Sequence, residues 1–150
     1  MQNLLLKMEG LDRFLNAQES VYYIALKEIQ SGRKYSHWIW YVFPQLKGLG
    51  HSYNSEYYGI YDATEAAAYL AHPVLGDRLR IITKTFLELP NDLTAREILG
   101  GIDARKVRSC MTLFYIVSKE QLFLDVLNRY YDGRLDSRTL RKLDIEEITE

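Results

Sequence analysis

The chain has little of what would make several functions easy to assign. One cysteine, Cys110, stands among 150 residues, so no internal disulfide can form and a reducing, cytoplasmic setting is expected. A thiolate metal site is excluded with it. The three histidines include no His-x-x-x-His pair, so neither a metal nor another cofactor is expected. Charge of one sign is not in excess, the formal net charge being −1. That balance argues against a dedicated nucleic-acid or membrane-surface binder, which carries a clear basic surplus. Long apolar runs are missing too: Leu4, Leu5 and Leu6 are interrupted at once by Lys7 and Glu9, too short and too charged for a signal peptide or a membrane span. No linker rich in Pro, Gly or Ser divides the chain, so a single domain over residues 1–150 is expected, with an acidic tail from about residue 144 that frays.

What is present is helical periodicity in a sequence that is 47% apolar and 26% charged, close to the soluble globular average. Leu11, Phe14 and Leu15 recur at helical spacing, and Val21, Ile24, Ala25 and Ile29 continue the pattern after a break near Ser20. Gly32 stands where a left-handed cap belongs. Ser36 is placed to cap a short helix through Val42, which Pro44 ends, and residues 44–53 read as loop. Asp62-x-x-Glu65, Thr94-x-x-Glu97 and Ser118-x-x-Gln121 read as capping boxes. Pro73 suits the first position of a helix carrying Leu75, Leu79, Ile82 and Phe86 on one face. Asp103 reads as the cap of a helix with Val107, Met111 and Phe114 inward, and Asp136 starts a last helix through Leu143. Strand-like content is confined to 38–43 and 57–61. The expected fold is all-α, one compact domain of about seven or eight short helices.

Candidate chemistry concentrates in residues 32–53, GRKYSHWIWYVFPQLKGLGHSY, which hold both tryptophans and two of the three histidines. A mixture of large aromatics, ionisable rings and glycines suits a short helix running into a shaped loop, where ligands bind. Gly48-Leu49-Gly50 fails as a P-loop or dinucleotide fingerprint, because no strand precedes it and no Gly-Lys-Ser/Thr follows. Glycines there either let backbone N–H groups meet an anion or serve a turn needing positive φ, with Gly50 the residue in question. In a second segment Asp103, Lys106 and Ser109 are spaced to form one polar stripe.

The three motifs GRKYSHWIWYVFPQLKGLGHS, YLAHPVLGDRL and GIDARKVRSCMTLF, in this order, resemble the bacterial domain-of-unknown-function family numbered 1810, over about residues 11–133. Ile39 and Cys110 depart from that family's pattern, which has Met and Ser there. The resemblance implies a small, mostly helical protein and no particular activity. A fainter similarity, an early aromatic segment and a later helix with Lys106, Met111 and Phe114, is to helical proteins that process ADP-ribose-type nucleotides.

Two functions of different class follow. In the first, a polar-aromatic pocket binds a small metabolite, a nucleotide or ADP-ribose derivative, and as an enzyme would hydrolyse it. Trp40, Gln45, Lys47, Gly50, His51, Ser52, Lys106 and Ser109 are then the binding residues, and His37 and Asp103 move protons. Neither nucleic acid nor membrane is an expected partner. In the second, the chain is a non-catalytic interaction module with an exposed aromatic patch.

Overall fold

The helical periodicity is realised as ten helices among residues 10–144, the part of the chain that the computed structural model describes. The tail expected to fray lies outside those residues. No strand occurs among the described residues; Leu46 and Ile60 meet in one isolated parallel bridge.

The first helix, α1 (Asp12–Gln18), buries Phe14 and Gln18. Helix α2 (Tyr22–Gln30) buries Tyr22, Ala25 and Ile29. Spacings of three and four set that face, which leaves Ile24, expected inward, one position off it and exposed. Gly32 then takes a φ of +85° and its N–H donates to the Ile29 carbonyl at 2.8 Å, the left-handed ending anticipated.

Helix α3 (Ile39–Val42) is a single turn, shorter than the span expected from Ser36. The reason is Glu28. Its carboxylate accepts from the Ser36 hydroxyl at 2.6 Å, from the Tyr35 and Ser36 N–H groups at 2.8 and 2.9 Å, and from the Trp38 indole at 2.9 Å. A carboxylate is the stronger acceptor, so Ser36 serves it instead of capping a helix. Burial works to raise the Glu28 pKa, but these four donors stabilise the anion and hold it down at about 2.

A helix that was not expected, α4 (Tyr53–Tyr57), begins at the last residue of the segment 44–53 read as loop, with Ser52 as its cap. It helps take the total past the seven or eight expected. Helix α5 (Ala63–Ala71) is capped by Asp62 as anticipated, while Glu65 turns inward and pairs with Arg13 at 2.7 Å. Helix α6 (Leu75–Leu87) presents Leu75, Leu79, Ile82 and Phe86 inward as the spacing predicts. It starts two residues later than Pro73, because His72 Nδ1 accepts from the Val74 and Leu75 N–H groups at 3.1 and 3.3 Å. The capping box at Thr94 and Glu97 opens α7 (Ala95–Leu99).

Helix α8 (Gly101–Ser118) is the hub, packed by α3, α5 and α7 and by two helices that follow it, α9 (Gln121–Tyr131) and α10 (Ser137–Lys142). Its second half is buried on several sides, from Ser109 through Phe114, as a helix covered from several directions must be. Two caps expected here fall elsewhere. Gly100, at φ +84°, starts α8, which puts Asp103 inside its first turn. Ser118 ends α8, its hydroxyl donating to the Phe114 carbonyl at 2.6 Å, and Glu120 precedes α9. Asp136 does cap α10. Among the described residues no helix is long and apolar enough to cross a membrane.

Candidate functional site

The polar first half of α8, the end of α3 with the loop behind it, and the start of α10 enclose a cleft of about 460 Å³. Each wall has a local cause. The Glu28 cluster fixes the approach to α3, so buried Trp38, Ile39 and Val42 anchor the turn while Trp40, one step off that face, remains half-buried at the cleft. The Lys106 ammonium lies 3.8 Å from the centroid of the Trp40 ring, a cation–π contact that joins α3 to α8.

The loop after α3 is held on both sides. Lys47 N–H donates to the Ile60 carbonyl at 2.8 Å and Ile60 N–H to the Gln45 carbonyl at 2.9 Å. From the far side, an Arg138 guanidinium N–H donates to the Leu49 carbonyl at 2.7 Å. Gly48 is the glycine with positive φ, +91°. Gly50 is not; what it answers is proximity, since a Cβ there would stand 2.6 Å from the Ser55 hydroxyl oxygen and 3.2 Å from its Cβ.

The third wall comes from the C-terminal segment. Asp136 Oδ2 accepts from Thr139 N–H and Oγ1 at 3.1 and 2.6 Å and from the Ser109 hydroxyl at 3.0 Å, which ties α10 to α8. Arg108 donates to the Arg134 and Leu135 carbonyls, both at 2.8 Å.

Five of the residues expected to act in the site line this cleft: Trp40, Gln45, Gly50, Lys106 and Ser109. The other five do not. His37 is exposed, and its carbonyl accepts from the Tyr41 hydroxyl at 3.2 Å. Lys47 turns to Glu56, 4.0 Å away, and lies 4.6 Å from the centroid of the Tyr61 ring. Ser52 caps α4 through a 3.1 Å bond from Ser55 N–H, and His51 beside it is exposed. Asp103 stands next to the cleft as the partner of two ammonium groups, Lys34 at 2.8 Å and Lys106 at 3.4 Å.

The cleft also holds residues that were not anticipated: Arg105 and Arg108, together with Asp136 and Arg138. Arg105 and Arg108 lie one turn apart, with Ser109 one turn from Arg105, a signal available in the spacing. Asp136 and Arg138 had none, because the contacts that bring them there, with Ser109 and Leu49, span 27 and 89 residues. Four cations therefore face one carboxylate, and that carboxylate already accepts three hydrogen bonds. Among the described residues no group of three or more His, Cys, Asp or Glu side chains is placed to hold a metal ion.

The family model described as "Protein of unknown function (DUF1810)" matches residues 8–143. The chain belongs to that family. A similar solved structure is the conserved hypothetical protein Rv1873 from Mycobacterium tuberculosis, 42% identical, with a TM-score of 0.88 over 91% of this chain and 97% of that one. Comparison with curated proteins gave no match. The neighbour shares the architecture, and neither description names an activity.

Proposed function

We propose that the chain binds an anionic metabolite with a planar group, of the nucleotide or ADP-ribose type, in the cleft between α3, α8 and α10. The observation that carries this reading is the charge of the lining: Arg105, Lys106, Arg108 and Arg138 against Asp136 alone, beside the Trp40 ring. A volume of about 460 Å³ is of the size that small-molecule sites have. Guanidinium forks match phosphate oxygens in pairs, and the Gln45 side chain, which makes no hydrogen bond among the described residues, adds a neutral donor and acceptor. We assign binding rather than hydrolysis, because neither His37 nor Asp103 lines the cleft and Asp136 is engaged in capping α10.

The test uses calorimetry and thermal melts with ADP and ADP-ribose. Either ligand should raise the melting temperature, and Lys106→Met should weaken binding about tenfold or more, since a hydrogen bond to a charged group contributes ~1.5–3 kcal/mol. Absence of binding by both ligands to the unsubstituted chain overturns the reading.

One observation favours the interaction-module reading. Tyr53, Tyr57 and Tyr61 are 76, 47 and 60% exposed, and the first two stack at 5.7 Å with an 8° interplanar angle. If neither nucleotide binds and Tyr53→Ser disrupts a complex with a protein partner, that reading takes the place of the first.

A further inference from the structure

Two further hollows, each lined in part by cations, share wall residues with the cleft. On one side Ile102 and Arg105 are shared with a hollow of about 600 Å³ whose walls include Arg96. On the other, Leu49 and Arg138 are shared with one of about 220 Å³ completed by Arg141 and Lys142. The shared residues make the three hollows neighbours on one surface, together called the trough. Among the described residues Asp136 is the single carboxylate lining it, against seven Arg and Lys side chains.

The balanced charge of the whole chain conceals this concentration. Arg96, Arg105, Arg141 and Lys142 form no ion pair and no side-chain hydrogen bond among the described residues. Like charges gathered without partners repel one another and bring no stability, but they attract and orient an anion. The trough is also long. From Gly101 to Ser109 the α8 axis alone advances about 12 Å, more than one phosphate group occupies. Five of the seven cations are arginines, whose planar fork suits phosphate. A half-buried tryptophan ring in the central cleft is the kind of surface on which a base stacks, whatever its identity.

We propose that the trough binds single-stranded nucleic acid, with one base at Trp40 and the phosphates on either side held by Arg96 and Arg105 at one end and by Arg138, Arg141 and Lys142 at the other. This rests on the reading that the central cleft accepts a nucleotide and extends it to a chain of them.

The experiment is fluorescence anisotropy of labelled twelve-residue oligothymidylate and oligouridylate, titrated with the full chain between ~50 and ~200 mM salt. Both oligomers should bind more tightly than ADP, and a preference between them tells DNA from RNA as the source. The triple variant Arg96→Gln, Arg141→Gln, Lys142→Gln should lose about tenfold or more in oligonucleotide affinity. Its log–log salt slope should become shallower by about 2, at ~0.7 per phosphate contact on a single strand. Its ADP affinity should change less than twofold, and a thermal melt matching the parent shows that it folds. Binding of ADP without either oligomer overturns the trough and leaves the cleft standing. Binding of neither overturns both. Equal displacement of the label by an oligoglutamate peptide overturns nucleic acid in favour of an acidic polypeptide.

Discussion

Two clusters of charge in this molecule are built from the same residue types and do opposite things. Around Arg13 everything is closed. Its guanidinium pairs with Glu65 at 2.7 Å, with side chains 9 and 0% exposed, and donates to the carbonyls of Gly10, Tyr57 and Gly59 while lying over the Phe14 ring. Glu65 in turn accepts from the Tyr61 N–H at 3.1 Å. Along the trough, Arg105 is exposed and has no ion pair among the described residues. A buried charge persists only if it is paired and hydrogen-bonded, whereas an exposed one needs neither. Arg13 thus fastens α1 to the segment around α4 and α5, while Arg105 fastens nothing and is available to a ligand. Substitution in the first cluster should break the fold and spare binding until the fold is lost; substitution in the second should do the reverse.

The largest effect expected is at Glu65. Glu65→Ala leaves Arg13 buried without its counter-charge, and removing one member of a buried pair costs about 3–5 kcal/mol. A urea melt measures it. A loss below ~1 kcal/mol would mean that the closed cluster does not hold the fold, and the contrast with the trough would disappear.

Glu28 comes next and brings pH into the comparison. With a folded-state pKa of about 2 against an ordinary 4.5, its contribution is fully present above pH ~4.5 and is lost as the pH falls towards 2, because the unfolded chain takes up the proton first. Glu28→Gln should cost about 1.5–3 kcal/mol near neutrality, the range for a hydrogen bond to a charged group. The gap between variant and parent should close as urea melts are repeated at decreasing pH. A gap that is constant from pH 6 to 2 would show that the carboxylate's charge plays no part in ordering residues 35–38.

These two carboxylates also mark where the sequence stops being readable. Local signals were sound: the Thr94–Glu97 box, the Asp62 and Asp136 caps and the Leu75–Phe86 face all rest on residues within a few positions of one another. Ser36 and Asp103 have good capping chemistry and do not cap: Glu28 takes the Ser36 hydroxyl, and Gly100 begins α8 ahead of Asp103, whose carboxylate meets Lys34 instead. Helix α4 was hidden by Gly50 and Ser52, which read as loop although Ser52 is its cap. In the cleft, Trp40, Gln45, Lys106 and Ser109 belong to two segments whose polar character stands out in the sequence. Asp136 and Arg138 reach it only through α10 packing on α8, a relation that no local spacing encodes.

Gly50 tests the boundary between the two kinds of region, since it lines the cleft but touches the helix behind it. Gly50→Ala pushes a methyl group against Ser55, which is buried and whose hydroxyl has no hydrogen-bond partner among the described residues. Overpacking of this kind costs typically ~1–3 kcal/mol, and a loss in that range is expected. A neutral result in a urea melt would show that the loop yields and that its closeness to α4 is not fixed.

The smallest effect belongs to His37, and its smallness is informative. His37 lies on the same aromatic segment as Trp40, three residues away, yet it is exposed and lines no part of the cleft. Its carbonyl, not its ring, meets the Tyr41 hydroxyl, so the side chain can change without disturbing that contact. Surface substitutions away from special features alter stability by no more than about ±0.5 kcal/mol. His37→Gln should therefore melt with the parent and bind ADP within twofold of it, while Lys106→Met in the same segment pair loses binding. If His37→Gln abolishes nucleotide binding with the fold intact, the ligand sits on the outer side of α3, and the cleft behind Trp40 is the wrong place to look for it.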